Sequence, residues 1–126
     1  MSVAERQPIT FLPTNKPEQA RRFYEETLGL SFVADDGFAL VFRGLGGLSL
    51  RLVRVGKFTP LPFTVAGWET GELEADVERL SARGVHFEDF GLPEQDERGI
   101  WTAPNGNKVA WFKDPDGNML SLSQHT

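Results

Sequence analysis

The sequence predicts an α+β fold of two tandem βαβββ units, and a near-duplication inside the chain carries most of that prediction. Phe42-Arg43-Gly44-Leu45-Gly46-Gly47-Leu48-Ser49-Leu50-Arg51-Leu52 lies without a gap over Phe112-Lys113-Asp114-Pro115-Asp116-Gly117-Asn118-Met119-Leu120-Ser121-Leu122. Each copy is an aromatic strand end, a basic residue, a glycine-closed turn and a second strand of alternating apolar character. A helical stretch ending in glycine precedes each copy, at Leu28-Gly29-Leu30 and at Arg83-Gly84-Val85. A period of about 55 to 70 residues is too long for one hairpin and fits a helix with several strands. Two such units side by side imply a pseudo-twofold cavity between them.

Taken in order, Ile9-Thr10-Phe11-Leu12 reads as a short strand ended by Pro13, and Pro17 stands where a helix can begin. From Glu18 to Leu28, Ala20, Phe23, Tyr24 and Leu28 recur at helical spacing, and Gly29 supplies the stop. Strands are expected at Phe32-Val33, Phe38 to Phe42 and Leu48 to Val55, divided by the turn chemistries Asp35-Asp36-Gly37 and Gly44 to Gly47. Lys57 to Pro62 links the halves, stiffened by Pro60 and Pro62.

The second half opens with a strand from Phe63 to Trp68, and Leu73 to Arg83 is an amphipathic helix with Leu73, Val77 and Leu80 on one face. Gly84 ends it. Beyond Val85 to Phe90 and an irregular acidic stretch, Gly91 to Arg98, strands are expected at Ile100 to Ala103, Asn107 to Lys113 and Asn118 to Ser123. Pro104-Asn105-Gly106 and Pro115-Asp116-Gly117 form the hairpin turns between them. The expected organisation is one domain over 1–126, with module one at about 8–56, a linker at about 57–62 and module two at about 63–125.

Composition narrows the function classes. The chain carries 13 basic and 18 acidic residues, a net charge of −5, with no Lys/Arg run, so neither nucleic acid nor an anionic membrane is expected as a partner. It has no cysteine, hence no disulfide framework, no thiolate nucleophile and no thiolate zinc site. Met1 to Pro8 lacks the apolar run of a signal peptide, and no stretch approaches a membrane span, which makes the cytoplasm the expected location.

Phe23-Tyr24-Glu25-Glu26-Thr27-Leu28-Gly29-Leu30, a second glycine-ended helix and Asp114-Pro115-Asp116-Gly117-Asn118 together resemble the vicinal oxygen chelate superfamily. That superfamily includes glyoxalase I, bleomycin-resistance proteins, extradiol dioxygenases and methylmalonyl-CoA epimerase. The resemblance spans Ile9 to Gln124 and implies paired βαβββ modules whose mixed sheets curve into an open cup with helices outside. It also implies a homodimer, with cups formed within a chain or across subunits.

Metal-dependent members hold a divalent ion between His and Glu side chains on the first and last strand of each module. Counted from the motifs, the corresponding positions here are Ile9, Arg51, Val65 and Ser121. Two alkyl groups donate nothing, a neutral hydroxyl is weak alone, and a guanidinium repels the ion. His86 and His125, the only histidines, fall just after the second helix and in the C-terminal tail and do not substitute. No metal ligand, cofactor or catalytic residue is therefore expected.

Strand alternation turns Ser49, Arg51 and Val53 toward the cup, and likewise Met119, Ser121 and Ser123, while the neighbouring leucines face the helices. Phe11 and Phe63 share parity with Ile9 and Val65, whereas Trp68 has the opposite parity and belongs with the core. Arg51 either binds a carboxylate, phosphate or enolate oxygen of a ligand, or pairs with an acidic side chain such as Glu69, or reaches water at the rim. Trp101 and Trp111 either stack on a ligand or pack in the core. Of the acidic loop, Glu94, Asp96 or Glu97 offers a general base or merely a solvated charge.

The expected ligand-binding residues are thus Ile9, Phe11, Arg51, Phe63, Val65, Trp101, Trp111, Met119 and Ser121: apolar walls with few polar anchors. Two readings follow. One is a metal-independent protein that encloses an aromatic or apolar, possibly anionic, small molecule, resembling the bleomycin-resistance type. The other is a lyase, isomerase or other enzyme that uses Arg51 to stabilise an oxyanion, or recruits a metal at unfamiliar positions. The first is favoured because no proton-transfer pair is evident in the cup.

Overall fold

The computed structural model describes residues 2–126. Two compact units divide at Thr59/Pro60, inside the proline-containing linker. In the first unit β1 (Thr10–Thr14), β2 (Ser31–Asp35), β3 (Ala39–Arg43) and β4 (Ser49–Arg54) form a mixed sheet in the order β1-β4-β3-β2. In the second, β5 (Ala66–Glu69), β6 (Trp101–Thr102), β7 (Lys108–Lys113) and β8 (Met119–Gln124) repeat that order as β5-β8-β7-β6. Each first strand runs parallel to the last one of its unit, and the remaining pairs are antiparallel. The α+β architecture of two βαβββ modules is therefore the observed one.

The internal repeat of the sequence is a repeat of register. Phe42 lies opposite Leu50 in one sheet and Phe112 opposite Leu120 in the other. The intervening turns close alike, since Gly44 N–H donates to Leu48 O at 3.2 Å and Asp114 N–H to Asn118 O at 3.0 Å. Buried Asp114 stiffens the second turn, because its Oδ1 accepts from the N–H groups of Asp116 and Asn118 and its Oδ2 from Asn118 Nδ2, each at 2.9 Å.

Strand boundaries moved for identifiable reasons. Pro13, expected to end the first strand, lies inside β1. This strand is at a sheet edge and pairs only with β4, so a residue without an N–H costs no ladder bond on its open side. The strand expected from Phe63 starts only at Ala66, after Val65 N–H has bonded Met119 O at 2.9 Å. The strand expected over Ile100 to Ala103 is two residues long, and Val85 to Phe90 adds an isolated bridge between Phe87 and Phe112.

Helix α1 (Pro17–Arg22) opens with Pro17 in its first turn and continues as a π-helical turn over Phe23–Thr27. Leu28 N–H then reaches back to Phe23 O at 2.9 Å, a wider loop than α-helical spacing predicts. Tyr24 is thereby buried with its ring 5.8 Å from that of Phe42, on the face that also carries Leu12, Leu40, Leu50 and Leu52. Helix α2 (Leu73–Ala82) buries Leu73, Val77 and Leu80 and packs on β7 and β8. Its first turn is tied to the even-numbered face of β8 and its neighbour. Leu73 N–H donates to Gln124 Oε1 at 2.9 Å, and Lys108 Nζ reaches Glu74 at 3.2 Å. Leu120 and Leu122 thus face the helix, as alternation requires.

Candidate functional site

The opposite face of the second sheet is an aromatic surface with few polar groups. Gly67, Ser121 and Trp111 form one row across β5, β8 and β7, and Glu69, Ser123, Val109 and Trp101 form the next. The rings of Trp101 and Trp111 are 6.1 Å apart and tilted by 36°, and Phe90 meets Trp111 edge-on at 5.3 Å. Both tryptophans are only half-buried, so this run of three rings is not sealed in a core. Ser121 is buried because it sits against Gly67, where an added Cβ would meet Ser121 Oγ at 2.7 Å and Ser121 O at 3.2 Å. Met119 is buried beside Lys113 in register, and Trp68 lies opposite Leu122 on the helix side.

In the first sheet the face away from Tyr24 carries the row Phe11, Arg51, Val41 and Ala34. Arg51 is not a free cation. Its guanidinium pairs with Asp36, not with Glu69, in the turn between β2 and β3. The Asp36 carboxylate is held below the ordinary range by the N–H groups of Ala39 and Phe38 and then by Arg51. A second pair lies alongside, with Arg54 forked onto both oxygens of Asp35 at 2.7 Å. Arg54 and the Gly37 N–H pull the Asp35 pKa down to about 2.

Of the nine expected binding residues, Ser121, Trp111 and Trp101 share one sheet face, with Met119 at its end, while Phe11 and Arg51 share another. Ile9, Phe63 and Val65 precede their strands. Ile9 is 47 % exposed, Phe11 60 % and Phe63 58 %, which leaves large apolar side chains uncovered. Sequence reasoning missed Phe90 and Gln95. Gln95 organises the acidic loop: its Oε1 accepts from Phe90 N–H at 3.0 Å, and its Nε2 donates to Glu88 O and Gly99 O at 3.0 Å. No periodic signal marks a glutamine whose partners are backbone groups of an irregular segment.

The donors actually present do not suit the family's metal. At the four family positions the chain offers two alkyl groups, an ion-paired guanidinium and a hydroxyl packed on glycine, which do not fit a divalent ion. Among the described residues no three His, Cys, Asp or Glu side chains gather where a metal could be held. His86, exposed, lies 3.9 Å from half-buried Glu88, and His125 lies 3.4 Å from Glu69 in an exposed pair.

Sequence comparison agrees with this architecture. The family model of the Glyoxalase/Bleomycin resistance protein/Dioxygenase superfamily matches residues 6–122, and the chain belongs to that family. Among solved structures, the chain is similar to TnmS3, an antibiotic binding protein from Streptomyces sp. CB03234. The two are 27 % identical with a TM-score of 0.72, over 97 % of this chain and 98 % of that one. The fold is also that of lactoylglutathione lyase from Agrobacterium tumefaciens, at 19 % identity and a TM-score of 0.72 over 95 % and 93 % of the chains. TioX from Micromonospora sp. ML1 shares it too, at 13 % identity and a TM-score of 0.71 over 96 % and 99 %. No curated protein matches in sequence.

Proposed function

We propose that this protein binds an aromatic or apolar small molecule without a metal, in the manner of a sequestering or resistance protein, and catalyses no reaction on it. The observation that carries the reading is the half-buried run Phe90, Trp111, Trp101 on the face that also carries Ser121, Ser123 and Glu69, an aromatic surface with few polar anchors. Full-length similarity to an antibiotic binding protein supports it. An anionic group on the ligand would have to compete with Asp36 for Arg51. The same pairing weakens the oxyanion role on which an enzyme would depend.

We further propose a single domain over 1–126, with modules at about 8–56 and 63–125, and a cytoplasmic homodimer. Exposed Phe11 and Phe63 supply apolar area for such an assembly. No helix among the described residues is long and apolar enough to cross a membrane. Native mass spectrometry of freshly purified, untagged protein with elemental analysis tests the reading. A metal-free protein carrying an organic adduct is expected. A stoichiometric divalent metal, or robust hemithioacetal turnover with added nickel or zinc, would overturn it.

A further inference from the structure

At the edge of the second sheet a depression of about 480 Å³ is lined by Leu92, Pro93, Glu94, Trp101 and Pro104, among others. Glu94 is its only ionisable lining residue. We infer that this depression is a subsite for an organic cation, a protonated or quaternary amine, with Glu94 as counter-charge and Trp101 as the ring on which the cation rests. This deepens the binding reading above and rests on it, since Trp101 also contacts Trp111 and so joins the depression to the aromatic face.

Four observations carry the assignment. An indole face and a carboxylate at the margin of an apolar hollow is the pairing that recognises alkylammonium groups and disfavours anions. Glu94 is available, because among the described residues no basic side chain pairs with it, whereas its loop neighbour Asp96 is engaged by Arg98. Its backbone lies in the left-handed region that glycine favours: Glu94 has φ +64°, the one positive φ of a non-glycine residue among those described. The loop is also built before any ligand arrives. Thr102 N–H donates to Glu94 O at 3.1 Å, Gln95 bridges to Trp101, and the Gln95 amide ties the loop to Phe90, Glu88 and Gly99.

Three probes with one aromatic body separate charge from stacking: 2-naphthyltrimethylammonium, neutral 2-tert-butylnaphthalene and anionic 2-naphthalenesulfonate. Each is titrated into the full chain while the indole N–H signals of its three tryptophans are followed by NMR, with Trp101 assigned through Trp101→Phe. The cation should bind about tenfold more tightly than its neutral isostere and shift the Trp101 signal. Glu94→Gln, and independently Glu94→Gly, which suits the positive φ, should abolish that preference and leave the neutral probe's affinity unchanged. A cation that binds no better than the neutral probe, or a preference that survives both substitutions, would overturn the subsite alone. Failure of all three probes to move any indole signal would overturn the binding reading with it.

Discussion

At Gly67 the absence of a side chain is a packing requirement. Replacement by alanine drives a Cβ against Ser121 Oγ and the Ser121 carbonyl. Gly67→Ala is expected to destabilise by about 1–3 kcal/mol, measured by chemical denaturation, with partial recovery in Gly67→Ala/Ser121→Gly. Asp35 makes a different prediction. Its carboxyl is depressed to about 2 from 3.8, so its pairing stabilises the fold above the unfolded pKa and is lost as pH falls from about 4 toward 2. Asp35→Asn should flatten the dependence of Tm on pH in that window and leave the slope near neutrality unchanged. For Arg51, substitution by alanine also frees Asp36. In a binding protein it should change affinity for an anionic probe without any rate to lose, whereas in an enzyme kcat would fall further than affinity.

The two turns of the internal repeat solve one problem with different chemistry. Glycines make the first, where Gly46 and Gly47 have φ of +75° and +82°. Buried Asp114 braces the second by accepting three hydrogen bonds. Asp114→Ala should therefore cost about 2 kcal/mol and be visible as a lowered denaturation midpoint, since it strands N–H groups in a buried turn. The acidic loop depends in the same way on Gln95. Gln95→Ala should speed amide exchange at Phe90 and Leu92 and blunt the response of Trp101 to added ligand, with exchange in β8 little changed. A merely solvated loop would show neither effect.

For the whole molecule, large apolar residues uncovered at Ile9, Phe11 and Phe63 are expected to be covered in an assembly. Sedimentation should give a homodimer, and Phe11→Ser should weaken the association. Dialysis against a chelator should leave Tm unchanged, because the four family positions carry no adequate donor set.

The fold was legible in the sequence because its evidence is local and repeated. A strand alternates every second residue, a helix recurs near every fourth, and Phe42–Leu52 and Phe112–Leu122 carry the same pattern, so the same register appears twice. The absence of His and Glu from the four counted positions is likewise a matter of residue type, which the sequence states directly. Strand ends were not, because Pro13 is tolerated only by virtue of an open sheet edge and β5 starts only where β8 meets it. Nor was the partner of Arg51. Choosing Asp36 over Glu69 depends on which turn the β4 side chain reaches, and residues 15 apart in sequence become neighbours only through strand pairing. The joining of Phe90 and the Glu94 loop to the tryptophans likewise rests on Gln95 and backbone groups that have no sequence signature, so tertiary structure alone decided it.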